Sequence, residues 1–407
     1  MDGARRHVRV GRSRERGLAM VVAVVAAAAS EAVASDCSQT ATGRIPLTDL
    51  GPGLYLGAFE GGLYPGGFNT PPGPHHTLAR QQAAAIAPRL PSGVPSPDGK
   101  VVLLSIGMSN TTQEFCGAGP GGGCTPNSFA AKAIADPAVD QAHVVLVDGA
   151  AGGQTAATWD SPTDPNYDRV RDQELAPLGL TEAQVEAVWI KVANAAPSVS
   201  LPAGNADAFT LATQTAAIAR AVRVRYPNCR LAFLSSRIYA GYASSTLNPE
   251  PFAYESGFGV KFVIAEQISQ DAGNPPSEGY GPLVAGPNAP VLVWGPYLWA
   301  DGLTPRSDGL TWTCADFNAD GTHPSASGVD KVSTLLMAHF LNSPFARPWF
   351  RTPKPADLNG DGVVNAADLS TLLGAWGPCP SDCPQDLDWD NAVNASDLAM
   401  LLSAWTG

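Results

Sequence analysis

Ser109 and the segment Asp320-Gly-Thr-His323 carry the residue types that acyl transfer needs. A serine hydroxyl becomes a nucleophile when a base takes its proton, a third group orients that base and donors meet the oxyanion that develops. Asp-x-x-His is short enough for one carboxylate to hold the imidazole Nδ1–H and leave Nε2 facing a hydroxyl. The other five histidines offer less. His7 lies in a basic N-terminal segment, His75 and His76 in a Pro-rich region, His143 at the start of an apolar run and His339 inside a helical pattern. The candidate oxyanion donors are the backbone N–H groups of Ser109 and Gly153 and the side-chain amide of Asn194. Asp316-Phe-Asn318-Ala-Asp320-Gly321 competes for the same stretch, because it matches the first half of a calcium loop. Its second half fails, with Pro324 at position 9 and Ser327 at position 12.

These residues need a scaffold that brings them to one edge. Val101–Ile106 is an apolar run that reads as a buried parallel strand and ends in Gly107-Met-Ser109-Asn110. A second strand, His143–Val147, runs into Asp148-Gly-Ala-Ala-Gly-Gly153-Gln-Thr155. The pattern predicts a helix over Glu182–Ala187, a strand over Val188–Val192 ending at Asn194, and a helix over Phe209–Tyr226. Strands follow at Arg230–Leu234 and Val291–Trp294, with a helix at Phe258–Ile268 between them. The last helix, Ser325–Leu341, places Val329, Val332, Leu335, Leu336 and Phe340 on one face. Strands alternating with helices predict a three-layer α/β/α domain on a parallel sheet over residues 100–350. Ser109, Gly153 and Asn194 all fall at strand C-termini, where open α/β sheets bind ligands. Residues 35–99 are rich in Gly and Pro, carry one helical patch at Thr77–Ala87, and are expected to lie over the main domain.

The chain has 407 residues, 44% apolar and 15% charged, room for one large domain and a small one. Its formal charge of −12 argues against nucleic acid or an anionic membrane as partner. Six arginines between Arg5 and Arg16, an apolar stretch from Ala19 to Ala29 and Ala32-Val33-Ala34 form the three regions of a signal peptide over 1–34. That apolar stretch is too short for a comfortable membrane span, so the expectation is a secreted protein with no span after cleavage. Export permits disulfides. Cys116 with Cys124 and Cys379 with Cys383 are plausible local pairs; Cys229 with Cys314 would be a long-range bridge leaving Cys37 over, although spacing alone leaves the pairing open.

Composition changes at a linker, residues 351–356, and residues 357–407 hold a repeat. Asp357, Asn359, Asp361, Asn365 and Asp368 put oxygen side chains at loop positions 1, 3, 5, 9 and 12, with Val363 giving its backbone carbonyl at position 7. Asp386, Asp388, Asp390, Asn394 and Asp397 repeat this, with Ala392 at position 7 and Asn391 in place of Gly362 at position 6. A hard cation such as Ca²⁺ wants six to eight oxygens around a tight turn, and this spacing supplies them. Each loop is followed by Leu-x-x-Leu-Leu-x-x-Trp, one helix per loop, ending at Trp376 and Trp405.

The repeat resembles a dockerin, an all-α module of two structural calcium sites that attaches its protein to a cohesin-like partner. That resemblance implies contacts through loop positions 10 and 11, here Ala366, Ala367, Ala395 and Ser396. Residues 100 to 342 resemble an SGNH (GDSL-like) hydrolase, with a flavodoxin-like sheet. Gly107-Met-Ser109-Asn110 matches the nucleophile block, Gly153-Gln-Thr155 the second, Asn194 the third and Asp320-x-x-His323 the last. The resemblance implies Ser109 as nucleophile, His323 as base, Asp320 as its orienter, Gly153 and Asn194 as oxyanion donors, and no cofactor in catalysis. Met108 stands where the family has Asp, and Val192 where it has Gly. The expected function is a secreted ester hydrolase, a carbohydrate esterase or deacetylase acting on an acylated polysaccharide. Trp294, Tyr297 and Trp299 could line its sugar or acyl site, although aromatics in such a run are more often core residues. The alternative is a non-catalytic glycan-binding or scaffold protein that retains the hydrolase fold, suggested by Met108 and Val192.

Overall fold

The structure is a computed structural model that describes residues 34–117, 123–359, 361–379 and 383–407. The expected signal peptide lies outside these residues except for Ala34. Among the described residues, no helix is long and apolar enough to cross a membrane.

Five strands build the main sheet: β1 (Val101–Gly107), β2 (Val144–Val147), β3 (Val185–Lys191), β4 (Leu231–Leu234) and β5 (Val291–Trp294). They pair in the order β2-β1-β3-β4-β5, every pair parallel. This is the doubly wound order whose reversal falls between β1 and β3, where a crevice opens beyond the strand ends. All residues of β1 and β3 are buried, as their near-continuous apolar runs require.

The principal helices are α1 (Gly73–Ala84), α2 (Ser109–Phe115), α3 (Phe129–Ala135), α4 (Asp207–Arg225), α5 (Phe252–Asp271), α6 (Ala326–Asn342) and α7 (Arg347–Phe350). α4 packs on α5, while α6 packs on α2, α3 and α7, so helices flank the sheet as two groups. α5 is buried over most of its circumference, which its Phe258–Ile268 stretch signals by being apolar at mixed spacing.

Residues 35–99 share the main core. Leu47, Leu63, Tyr64, Ala79 and Ala83 belong to the same buried cluster as the sheet. The Lys261 ammonium donates to the Glu60 carbonyl (2.9 Å), and Arg89 pairs with Glu186 (2.7 Å).

Two sequence expectations are corrected here. Glu182–Ala187 is not a helix: only Glu182–Gln184 forms a 3₁₀ turn, and β3 already begins at Val185. Glu186, which gives the segment its helical look, is a fully buried strand residue held by Arg89 and the Ala87 N–H. The long-range disulfide is Cys37–Cys314, beside Cys116–Cys124 and Cys379–Cys383, and Cys229 is a buried free thiol. Cys229 lies before β4, at the N-terminal edge of the sheet. Cys314 lies six residues before Asp320, beyond the C-terminal edge, so the sheet separates the two.

The tail forms α8 (Ala366–Gly374) and α9 (Ala395–Ser403), each entered from a calcium-loop sequence. Asn365 and Asn394 cap these helices with identical dihedrals, φ −148° and ψ −163°, each accepting the N–H two residues on. A short antiparallel pair joins Gly377–Pro378 to Ala392–Val393, and Val364, Leu372, Leu387, Val393 and Leu401 form a small separate core.

Candidate active site

Ser109 opens α2 directly beyond β1. The turn between them is tight. A Cβ on Gly107 would stand 2.3 Å from the Lys191 carbonyl oxygen and 2.4 Å from Thr111 Oγ1, so a side chain there would push β1 off β3. Ser109 Oγ lies 2.8 Å from His323 Nε2, and His323 Nδ1 lies 2.5 Å from Asp320 Oδ2. The other Asp320 oxygen accepts the backbone N–H groups of Thr322 and His323, each at 3.0 Å. A carboxylate on Nδ1 fixes the tautomer with its proton there and leaves Nε2 as the acceptor for the serine hydroxyl. Burial raises the Asp320 carboxyl, but the hydrogen bonds from His323 and Thr322 outweigh it and hold it below its ordinary value.

The histidine loop is fastened to the serine helix. Asn110, fully buried, donates its amide to the Thr322 carbonyl at 2.9 Å. Gly321 takes φ +65°, and a Cβ there would meet the Tyr242 carbonyl at 2.1 Å. The competing calcium loop is ruled out by its own side chains: Asp316 is ion-paired with Lys331 (2.5 Å) and accepts from Thr313, while Asp320 serves His323.

Gly153 lies exposed in the loop after β2, with φ +76° and open space where a Cβ would stand. That loop is tied to the serine turn, since Ala151 N–H donates to the Gly107 carbonyl at 3.2 Å. Asn194 behaves differently. Its amide donates to the Asp207 carbonyl at 2.8 Å, in the first turn of α4, and lies 3.4 Å from Asp207 Oδ1. The amide nitrogen is thus turned toward that helix, with both of its recorded contacts on Asp207.

Of the two readings of Trp294, Tyr297 and Trp299, the core one holds: none is more than 4% exposed, and none lines the site. The N-terminal region contacts two of them, Trp294 Nε1 donating to the Leu63 carbonyl (2.6 Å) and Leu47 N–H to Tyr297 Oη (3.2 Å), while Trp299 Nε1 donates to Glu250 (2.8 Å).

Several charged residues that the motif reading missed lie beneath the triad. Glu114, on α2, and Lys191, at the end of β3, are both fully buried and paired at 2.5 Å. Burial drives both toward their neutral forms, raising Glu114 and bringing Lys191 down to about 8. Arg237, two residues into the loop after Ser235 and 2% exposed, has Nε and Nη2 buried without hydrogen-bond partners, with Glu114, Glu250 and Asp320 as its charged neighbours. A charged residue closing the apolar run Ala187–Ile190, Lys191, is the sequence signal for this layer. Lys191→Met leaves Glu114 without its cation, and is expected to cost about 3–5 kcal/mol in chemical denaturation. Adding Glu114→Gln in the same chain is expected to recover most of that loss; a single-variant cost below about 1 kcal/mol would refute the pairing.

Asp148, just past β2, accepts hydroxyl donors from Ser105 (2.5 Å) and Thr112 (2.6 Å). Burial outweighs these bonds and pushes its carboxyl up to about 7. Because the folded state binds this proton more tightly than the unfolded chain, the group's contribution to stability is complete below about pH 4 and is lost as pH rises to about 7. Asp148→Asn should flatten that slope in denaturation measured at about pH 5 and about pH 8.

Two clefts are lined by sequence neighbours of the site residues, though not by the triad itself. One of about 670 Å³ begins at Gln154, next to Gly153, and is lined among others by Thr158, Asp164, Asn166, Asp168 and Arg169. A more apolar one of about 300 Å³ lies between Gln113, one turn beyond Ser109 on α2, and Pro324, beside His323.

In the tail, carboxylate oxygens of Asp386, Asp388 and Asp390 lie within 4.8 Å of one another. Burial first, and then the neighbouring carboxylates of Asp390, Asp397 and Asp386, push Asp388 up to about 7. Asp368 and Asp397, at position 12, are fully buried. Both loops share one internal wiring: Asp357 accepts from the N–H groups of Asp361 and Gly362, as Asp386 does from Asp390 and Asn391. Converging acids on such a frame are a donor set that a hard cation fits.

No family model matches the chain, and no curated protein matches it. Solved structures similar to it include TesA (17% identity, 60% of this chain and 99% of the other, TM-score 0.32). An extracellular lipase from Streptomyces rimosus is similar at 12% identity (59% and 99%, TM-score 0.31). A family two carbohydrate esterase from Clostridium thermocellum, in complex with cellohexaose, is similar at 16% identity (61% and 66%, TM-score 0.32). These likenesses are too distant to assign a family.

Proposed function

We propose that this chain is a serine ester hydrolase of the SGNH type. The observation that carries the reading is the unbroken line Ser109 Oγ, His323 Nε2, His323 Nδ1, Asp320 Oδ2, with contacts of 2.8 and 2.5 Å. Ser109 Oγ attacks the ester carbonyl carbon while His323 Nε2 takes its proton, and the Asp320 carboxylate stabilises the imidazolium that forms. The donors proposed for the oxyanion are the N–H groups of Ser109 and Gly153 and the amide of Asn194, which would have to turn away from Asp207 to reach it. His323 then returns the proton to the leaving alcohol, and a water activated by the same imidazole releases the acid. Met108 and Val192 are both buried and take no part in this proton path.

The substrate class is an acylated polysaccharide. The cleft that starts at Gln154 supports this, since the amide, hydroxyl and carboxylate groups among its lining residues suit a hydroxyl-rich ligand. The tail is a dockerin-like attachment module for a cohesin-like partner, and the protein acts outside the cytoplasm, where its three disulfides persist. Calcium would be held by Asp357, Asn359, Asp361, Asn365 and Asp368 with the Val363 carbonyl, and by Asp386, Asp388, Asp390, Asn394 and Asp397 with the Ala392 carbonyl. It supplies charge neutralisation to the loops and no part of the hydrolysis.

A serine-reactive phosphonate tests the central assignment. Stoichiometric labelling of Ser109, located by peptide mass spectrometry, is expected; an unlabelled Ser109 in folded protein would favour the glycan-binding alternative.

A further inference from the structure

Among the differences between the two calcium-loop copies are positions 4 and 6, where the first has Gly360 and Gly362 and the second Trp389 and Asn391. Trp389 takes φ +61° and Asn391 φ +66°. Glycine and asparagine are at home in that left-handed region, but a bulky indole is not. A tryptophan kept there must be held by contacts outside its own loop.

Those contacts come from the segment that joins the tail to the α/β domain. The Trp389 ring is 7% exposed, with Arg351 Cζ 3.5 Å and Lys354 Nζ 3.7 Å from its centroid. Its Nε1 donates to the Thr352 carbonyl at 3.2 Å. Lys354 N–H donates to the Leu387 carbonyl (3.0 Å), its ammonium to the Cys383 carbonyl (2.6 Å), and Arg347 to the Asn391 side-chain oxygen. The same segment is pinned to the α/β domain on its other side. Asp140 N–H donates to the Phe350 carbonyl and Thr352 N–H to the Ala138 carbonyl, each at 2.9 Å.

We propose that the second loop is a latch that closes on residues 351–354 of its own chain. The occupant is basic (Arg351, Lys354) and the loop acidic, so charge and cation–π attraction act together. Calcium in the second loop holds Trp389 in place and so sets the latch; the first loop, with glycine at both positions, has no counterpart and stays available for a separate partner. This rests on the calcium reading of the tail.

Trypsin tests it on the full chain, by cleavage after Arg351. Prolines after Arg347 and Lys354 protect those neighbouring sites. With calcium, the fragment Thr352–Gly407 should appear about tenfold faster from Trp389→Gly than from wild type, and chelating calcium should accelerate wild type in the same sense. Trp389→Gly relieves a disfavoured φ, so calorimetry should show calcium still bound by the second loop. Lys354→Met, which leaves the loop intact, should also speed cleavage, while Asp361→Ala in the first loop should not. Equal cleavage of wild type and Trp389→Gly overturns the latch, and equal cleavage of wild type with and without calcium overturns its control by the metal. If wild type binds no calcium, the calcium reading fails, and the Trp389→Gly comparison in chelator alone decides whether the clasp exists.

Discussion

Ser109→Ala is expected to lower p-nitrophenyl acetate hydrolysis by the protein about 10⁴-fold or more. The size follows from what is removed: the atom that forms the acyl bond, with its oxyanion donors left in place. His323→Ala should cost about as much, and the double variant little beyond either single one, because the two act as one unit. Asp320→Asn should fall by about 10⁴-fold with the fold intact, since an amide at this position can present N–H to Nδ1 and turn the proton to Nε2, away from the serine. The same substitution also weakens the grip on the Thr322 and His323 N–H groups that shapes the loop. Equal rates for wild type and Ser109→Ala would end the hydrolase assignment.

Calcium removal is expected to unfold the tail. Residues 357–407 bury only a handful of apolar side chains of their own, such as Leu372, Leu387 and Leu401. Units of about 50 residues with so small a core depend on metals or cross-links for their stability. Without a cation, the carboxylates of Asp386, Asp388 and Asp390 also repel one another across a partly buried loop. Chelation should therefore remove the helical circular dichroism of α8 and α9 and leave the α/β signal. Asp361→Ala and Asp390→Ala should each weaken calcium binding at their own loop by at least about tenfold, measured by calorimetry. Unchanged affinity in both would refute the loop assignment.

Much of this was legible in the sequence because it is local. Asp320 and His323 are three residues apart, so their geometry needs one turn and no tertiary knowledge. The strands β1 and β5 announce themselves as short apolar runs, and the helices α8 and α9 by the repeated loop that precedes each. What escaped depends on distant partners. Glu186 reads as the polar face of a helix until Arg89, almost a hundred residues earlier, supplies its counter-ion inside a sheet. Trp294 and Tyr297 admit a sugar-site reading until Leu63 and Leu47, more than two hundred residues earlier, bond to them in the core. The Glu114–Lys191 pair and Arg237 come from three elements that only the folded sheet edge assembles. Asn194 sits at the expected strand end, but the direction of its amide is set by α4, which no motif encodes.

The Cys37–Cys314 bond spans 277 residues and encloses nearly the whole α/β domain. It makes that domain a covalent ring. A protease that cuts one exposed, Gly- or Pro-rich turn within the ring yields two polypeptides that remain one molecule, with the broken ends held near each other by the surrounding core. Loss of a fragment requires two cuts, or one cut and a reductant. A protein working among proteases would keep Ser109 and His323 in the same particle through damage that would dismantle an unbridged version of the fold.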